Sequence, residues 1–165
     1  MDIVLESLSA AVGQALSQRQ WQLVCAESCT GGWVAEVITA TAGSSVWFDR
    51  GFVTYSNAAK QEMLGVSAAT LNQHGAVSEP TVREMAMGAL AHSAAQVSLA
   101  VSGIAGPGGG SPDKPVGTVC FAWCMKESLP ESETVYLSGD REAVRRQAVI
   151  HAITGLMARL ARGVP

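Results

Sequence analysis

The sequence predicts an α/β fold: a three-layer α/β/α sandwich around a mixed five- or six-stranded sheet, as a single domain over 1–165. Three observations predict it. Short apolar runs of strand length alternate with stretches whose apolar residues recur at helical spacing. The run Val97 to Ile104 is nearly all apolar, as a central strand covered on both faces must be. Two late runs, Val116 to Met125 and Glu133 to Leu137, follow each other as a hairpin with Leu129-Pro130 in the connection, which makes the sheet mixed rather than purely parallel.

Taken in order, Asp2 is placed to cap a first helix to about Gln18, whose Leu5, Leu8, Val12 and Leu16 share one face. A strand follows over about Gln22 to Ala26, then a helix from about Thr30 to Thr39 with Val34, Val37 and Ile38 inward. Ala42 to Ser45 is a turn, and Phe48 to Tyr55 reads as a strand interrupted by Gly51. Ser56 or Asn57 caps a short helix carrying Lys60, Met63 and Leu64, and a second short helix over Ala68 to Asn72 ends near Gly75. Ser78-Glu79-Pro80 starts a helix to about Ser93, with proline tolerated in the first turn and Glu79 suited to the helix dipole. The last helix runs from Asp140 to about Leu160 with Val149, Ile153, Leu156 and Leu160 as its apolar stripe.

Composition narrows the function classes. Apolar content of 48% with 15% charge describes a compact folded chain able to build a core without disulfides or metals. A formal charge of −3 gives no basic surface for non-specific nucleic-acid binding. No stretch approaches the roughly eighteen apolar residues of a membrane span, and the acids near the N-terminus are unlike a signal peptide, so a soluble cytoplasmic protein is expected. The four cysteines form two C-x3-C pairs, Cys25/Cys29 and Cys120/Cys124. Their spacing is not that of zinc knuckles, and Cys120 and Cys124 read as core residues on one face of a strand, so reduced thiols and no metal are expected.

The chemistry concentrates at two strand-to-helix junctions. In Ala26-Glu27-Ser28-Cys29-Thr30-Gly31-Gly32, an apolar run enters a hydroxyl-rich turn, which puts Ser28 where a strand ends and unpaired N–H groups meet a positive helix dipole. In Thr54-Tyr55-Ser56-Asn57-Ala58-Ala59-Lys60, the chain supplies one of its three lysines. A serine at a helix start and a lysine able to lose its proton make a nucleophile and a base; the alternative is an N-cap serine and a surface lysine. Cys29 is the rival nucleophile if the helix start lowers its pKa. Glu27 is suited to steady the turn, hold Lys60 or cap the helix. The loop Gly103 to Pro112 is neither a Walker A loop nor a dinucleotide fingerprint, but after a central strand it is placed to cradle a phosphate or carbonyl. Arg145 extends the core-facing stripe of the last helix and so needs an anion, a structural carboxylate or a substrate phosphate. Arg141 and Arg146 read as solvated. His74, His92 and His151 show no metal or triad spacing, and His74 alone falls in a loop.

Six segments in order along nearly the whole chain resemble the CinA C-terminal-domain family. They are Ala26 to Gly32, Gly51 to Asn57 with Lys60, Gly75 to Glu79, Ser102 to Pro107, Pro115 to Val119, and Gly139-Asp140-Arg141 with Arg145. The resemblance implies a three-layer α/β/α amidase domain and a dimeric or higher assembly. It further implies hydrolysis of the carboxamide of nicotinamide mononucleotide (NMN) to nicotinate mononucleotide and ammonia in pyridine-nucleotide salvage, without cofactor. Ser28 would be the nucleophile, Lys60 the general base and Tyr55 an auxiliary proton-relay or positioning residue. With the resemblance in hand, N–H groups around Ser28 to Gly31 are the expected oxyanion donors, with Thr30 and Gly31 at the substrate. Ser102 and Gly103 are expected to position it and Arg145 to bind its phosphate. The competing readings are a Ser–Lys amidase for another amide and a non-catalytic nucleotide-binding module.

Overall fold

The structure, a computed structural model, describes residues 1–162. Its elements run α1 (Ile3–Arg19), β1 (Leu23–Glu27), α2 (Trp33–Thr39), β2 (Phe48–Val53), α3 (Asn57–Leu64), α4 (Ala68–His74), α5 (Glu79–Ala91), β3 (Val97–Gly103), β4 (Thr118–Met125), β5 (Glu131–Tyr136) and α6 (Arg141–Ala161). The sheet has five strands in the order β2-β1-β3-β4-β5. β1 is parallel to β2 and β3, while β4 pairs antiparallel with β3 and β5, giving the expected mixed sheet.

Strand alternation builds the three layers. Leu23 and Cys25 of β1, Leu99 and Val101 of β3, and Phe121 and Trp123 of β4 join the core under α1, α2 and α6. Their neighbours Val24, Ala26, Ala100, Ala122 and Cys124 face α3, α4 and α5. This second face is small-chained, so α5 lies close to the sheet and to α3. A Cβ at Gly88 would come 1.9 Å from the Leu64 carbonyl oxygen, so glycine there lets α5 support the helix that carries Lys60.

Helix starts follow the capping rules with one exception. Asp2, Ser56, Ser67, Ser78 and Asp140 each accept a backbone N–H in the first turn of their helices. α2 begins at Trp33, three residues later than the expected Thr30, because left-handed Gly31 and Gly32 (φ +61° and +104°) break the turn from the helix. Gly32 has no side chain to cap with, and the buried Glu27 carboxylate supplies the acceptor from the end of β1. Glu27 Oε1 accepts from Thr30 Oγ1 (2.5 Å), Gly32 N (3.2 Å) and Val34 N (2.9 Å), and Oε2 from Ala35 N (3.0 Å).

Other boundaries moved for similar local reasons. β2 stops at Val53 rather than Tyr55, and it passes through Gly51 unbroken because a Cβ there would sit 3.0 Å from Cys25 Sγ. His74 closes α4 instead of lying in a loop, since the helix runs to its Gly75 cap. No described helix is long and apolar enough to cross a membrane.

Glu27→Gln is expected to lower folding stability by about 1–3 kcal/mol, because an amide NH2 must then face a buried N–H donor. Urea unfolding of both proteins checks this; equal stability would mean that the α2 start is held without the carboxylate.

Candidate active site

Parity also decides where the reactive groups point. Along β1 the side chain of Glu27 goes to the α2 layer, so Ser28 goes to the α3 layer. The ladder pairs Glu27 with Val53 on one side and Val101 on the other. It continues through Ser28 N to Val101 O (3.0 Å) and Thr54 N to Glu27 O (2.8 Å). Thr54, Ser28 and Ser102 therefore form a row across the carboxyl ends of three parallel strands, where ligands of open α/β sheets collect. α3 delivers Lys60 to the same row from one turn beyond its Ser56 cap.

Ser28 is 7% exposed and Lys60 1%. The Lys60 amine lies 3.0 Å from Ser28 Oγ and donates to the carbonyls of Thr54 (2.9 Å) and Tyr55 (3.3 Å). Among the described residues no carboxylate pairs with it. Burial pushes its pKa below the usual lysine value of 10.5. A neutral amine has two N–H groups and one lone pair. With the two N–H groups on carbonyls, the lone pair is left for the Ser28 hydroxyl, which is the geometry of a base beside its nucleophile.

The turn after Ser28 supplies donors, but fewer than the sequence suggests. Ser28 N is taken by Val101 O, and Gly31 N donates to Ser28 O. At the start of α2, Gly32, Val34 and Ala35 donate their N–H groups to Glu27, and Trp33 N donates to Thr30 O. Cys29 N and Thr30 N are left without an acceptor among the described residues. Of the three roles open to Glu27, the contacts assign steadying the turn and capping α2; it does not pair with Lys60. Thr30 turns its hydroxyl inward to Glu27 and is 0% exposed.

Ser28 and Lys60 line a cavity of about 180 Å³ with Cys29, Tyr55, Ser102 and Arg141. Gly103 borders it as well. The Ser102 side chain is buried, and its hydroxyl has no partner among the described residues. Tyr55 is at the mouth: its carbonyl, not its hydroxyl, meets Lys60, and the hydroxyl accepts from Arg141 (3.2 Å). Arg141 is exposed, as expected, and its guanidinium also reaches over the site and donates to the Gly106 carbonyl (2.9 Å). The glycine loop thus presents a carbonyl to a cation here, and that acceptor offsets the poor placement of an arginine at a helix N-terminus.

Arg145 and Gly31 border a second cavity of about 590 Å³, with Thr30, Trp33, Glu36 and Arg141. Arg141 lines both cavities. The inward Arg145 meets no carboxylate: it donates to the carbonyls of Cys29 (3.0 Å) and Thr30 (3.2 Å). Arg146 pairs with Asp2 at the surface. Cys29 is no nucleophile in this setting, because burial pushes its thiol up to about 11. The two cysteine pairs lie on opposite faces of the sheet, and all four thiols are free. Among the described residues no three His, Cys, Asp or Glu side chains converge as a metal site.

The family model of the CinA C-terminal domain matches residues 5–160. The chain is 57% identical over 155 residues to the nicotinamide-nucleotide amidohydrolase PncC of Escherichia coli (strain K12), covering 94% of each protein. It is 57% identical over 149 residues to the protein of that name from Enterobacter agglomerans, covering 90% of this chain and 91% of the relative. The crystal structure of the competence/damage inducible protein CihA from Agrobacterium tumefaciens shares the fold with a TM-score of 0.93 at 42% identity over 98% of both chains. The fold, the segments around Ser28 and Lys60 and the extent of these matches lead to one identification: the chain belongs to the CinA C-terminal domain family.

Proposed function

We propose that the protein is a nicotinamide-nucleotide amidase that hydrolyses NMN to nicotinate mononucleotide and ammonia through Ser28 and Lys60. The observation that carries this reading is the buried Lys60 amine, 3.0 Å from Ser28 Oγ with its other hydrogen bonds on two carbonyls. Binding alone has no need of such a pair, whereas acyl transfer does. The amidohydrolase relatives, 57% identical over nearly their full length, support the substrate.

In the proposed reaction, neutral Lys60 takes the Ser28 proton as Oγ attacks the carboxamide carbon. The resulting oxyanion is met by the Cys29 and Thr30 N–H groups, the two with no acceptor of their own; such a donor is worth about 2.7–4 kcal/mol elsewhere. Protonated Lys60 then passes its proton to the departing nitrogen, which leaves as ammonia. Lys60 next takes a proton from water, which cleaves the Ser28 ester and restores the hydroxyl.

The cavity at Ser28, about 180 Å³, suits the carboxamide-bearing ring rather than the whole nucleotide, since complete ligand pockets run to about 300–1,000 Å³. Ser102 and Gly103 position that ring. The ribose phosphate extends past Arg141 toward the larger cavity, where Arg145 keeps N–H donors beyond the two it spends on carbonyls. Tyr55 holds Arg141 at the mouth through its hydroxyl. The proposal includes a place in pyridine-nucleotide salvage, a cytoplasmic location and a dimeric or higher assembly.

Purified protein is expected to release ammonia from NMN with chelator present, and folded Ser28→Ala and Lys60→Ala are each expected to lose at least about a thousandfold in kcat. Binding of NMN without ammonia release would make the protein a nucleotide-binding module instead.

The pH dependence follows from the direction of the Lys60 shift. Protonation disables the base, so kcat/KM is expected to rise with pH along a limb whose midpoint lies below 10.5. A rate that falls steadily from pH 6 to 9 would assign Lys60 a proton-donating role in the first step and overturn the mechanism.

A further inference from the structure

The peptide between Cys29 and Thr30 is gripped from one side and free on the other. On the gripped side, Arg145 Nε donates to the Cys29 carbonyl at 3.0 Å and Nη2 to the Thr30 carbonyl at 3.2 Å. The guanidinium is fixed in turn by α6 and by the Trp33 ring, 5.4 Å from its centre. A planar trans peptide points its carbonyl and its N–H in opposite directions. Holding the Cys29 carbonyl therefore fixes the Thr30 N–H on the face away from Arg145.

That free face is unusual. Thr30 is 0% exposed and Cys29 6%, yet neither N–H has an acceptor among the described residues. Buried N–H groups are almost always paired, and an exception in a turn that begins at a buried serine points to a group that arrives later. Arg145 makes the Thr30 N–H a better donor as well as a fixed one. A cation on the carbonyl draws charge along the peptide and strengthens the hydrogen bond that its N–H can give.

We infer that Arg145 is a positioning residue of the oxyanion site: it acts through the Cys29–Thr30 peptide, aiming and polarising the Thr30 N–H without touching the reacting atoms. The inference rests on the reading of Ser28 as nucleophile but not on the identity of the amide. It is separate from any phosphate contact made by the remaining N–H groups of Arg145. A phosphate contact would act on substrate binding, whereas the peptide contact acts on the tetrahedral state.

The test is binding of 3-pyridineboronic acid, followed by boron-11 NMR and calorimetry. The reagent carries no phosphate and no amide. Ser28 Oγ forms a bond to boron, the hydroxyl proton passes to Lys60, and the negative tetrahedral boronate places an oxygen where the oxyanion would lie. Arg145→Met is expected to weaken the adduct at least tenfold, Arg145→Lys to recover part of the loss by reaching one carbonyl, and the pH dependence of adduct formation to stay at the parent position because the dyad is intact. Parent-like affinity in Arg145→Met overturns the inference, and so does a shifted pH dependence, which would mean that the whole Ser28 turn had moved. If Arg145→Met does not fold, Arg145→Lys makes the same comparison: intermediate affinity supports the inference and parent-like affinity overturns it. Absence of an adduct in the parent overturns it outright. A parent that forms the adduct, weakened in Arg145→Met, but releases no ammonia from NMN would leave the inference standing and remove only the substrate reading.

Discussion

The Glu27 carboxylate, buried at the end of β1, gathers one hydroxyl and three backbone N–H groups from the segment Thr30 to Ala35. Without it, α2 would start at a left-handed glycine with no cap, in the interior, where unpaired N–H groups are costly. With it, the turn from Ser28 to Gly32 has one shape. Because successive residues of a strand face opposite ways, anchoring Glu27 on the α2 side obliges Ser28 to project on the α3 side. The candidate nucleophile is thus set by a structural bond one residue away, made to the other layer of the sandwich.

The second layer answers with Lys60. Its amine is buried on the small-chained face of the sheet, brought there by a helix that Gly88 allows to sit tightly against α5. Lys60 has carbonyls and a hydroxyl as partners rather than a counter-ion. Burying a cation on those terms works against folding, and the neutral amine is the form that the site favours. Poor ion-pairing and readiness to give up a proton are the same physical fact. Arg145 completes the arrangement from behind the turn, so the Ser28 segment is held by an anion at one peptide and a cation at another.

Much of this was legible in the sequence, because it depends on local rules. The helix starts at Asp2, Ser56, Ser78 and Asp140, the apolar β3 and the late hairpin follow from residue types and spacing. So does the meeting of Ser28 and Lys60 at two successive strand-to-helix junctions. What was not legible depends on distant partners. Arg145 meets carbonyls 116 and 115 residues away, which no helical stripe can reveal. Arg141 is exposed, as read from the sequence, but its contacts with the Gly106 carbonyl and the Tyr55 hydroxyl, both remote in sequence, had no local signal. Cys29 has a nucleophile's neighbours, but its burial raises the thiol and removes that role. The three-residue delay of α2 had a local signal after all: two consecutive glycines are a weak helix start and a good left-handed turn.

The central claim is that burial beside Ser28 lowers the pKa of the Lys60 amine. With three lysines in the chain, the titration of each side-chain ε-carbon can be followed by carbon-13 NMR and assigned with a Lys60→Arg protein. The account predicts that the lysine resonance absent from the Lys60→Arg spectrum titrates below the usual 10.5. A Lys60 resonance that titrates at 10.5 or above would contradict it.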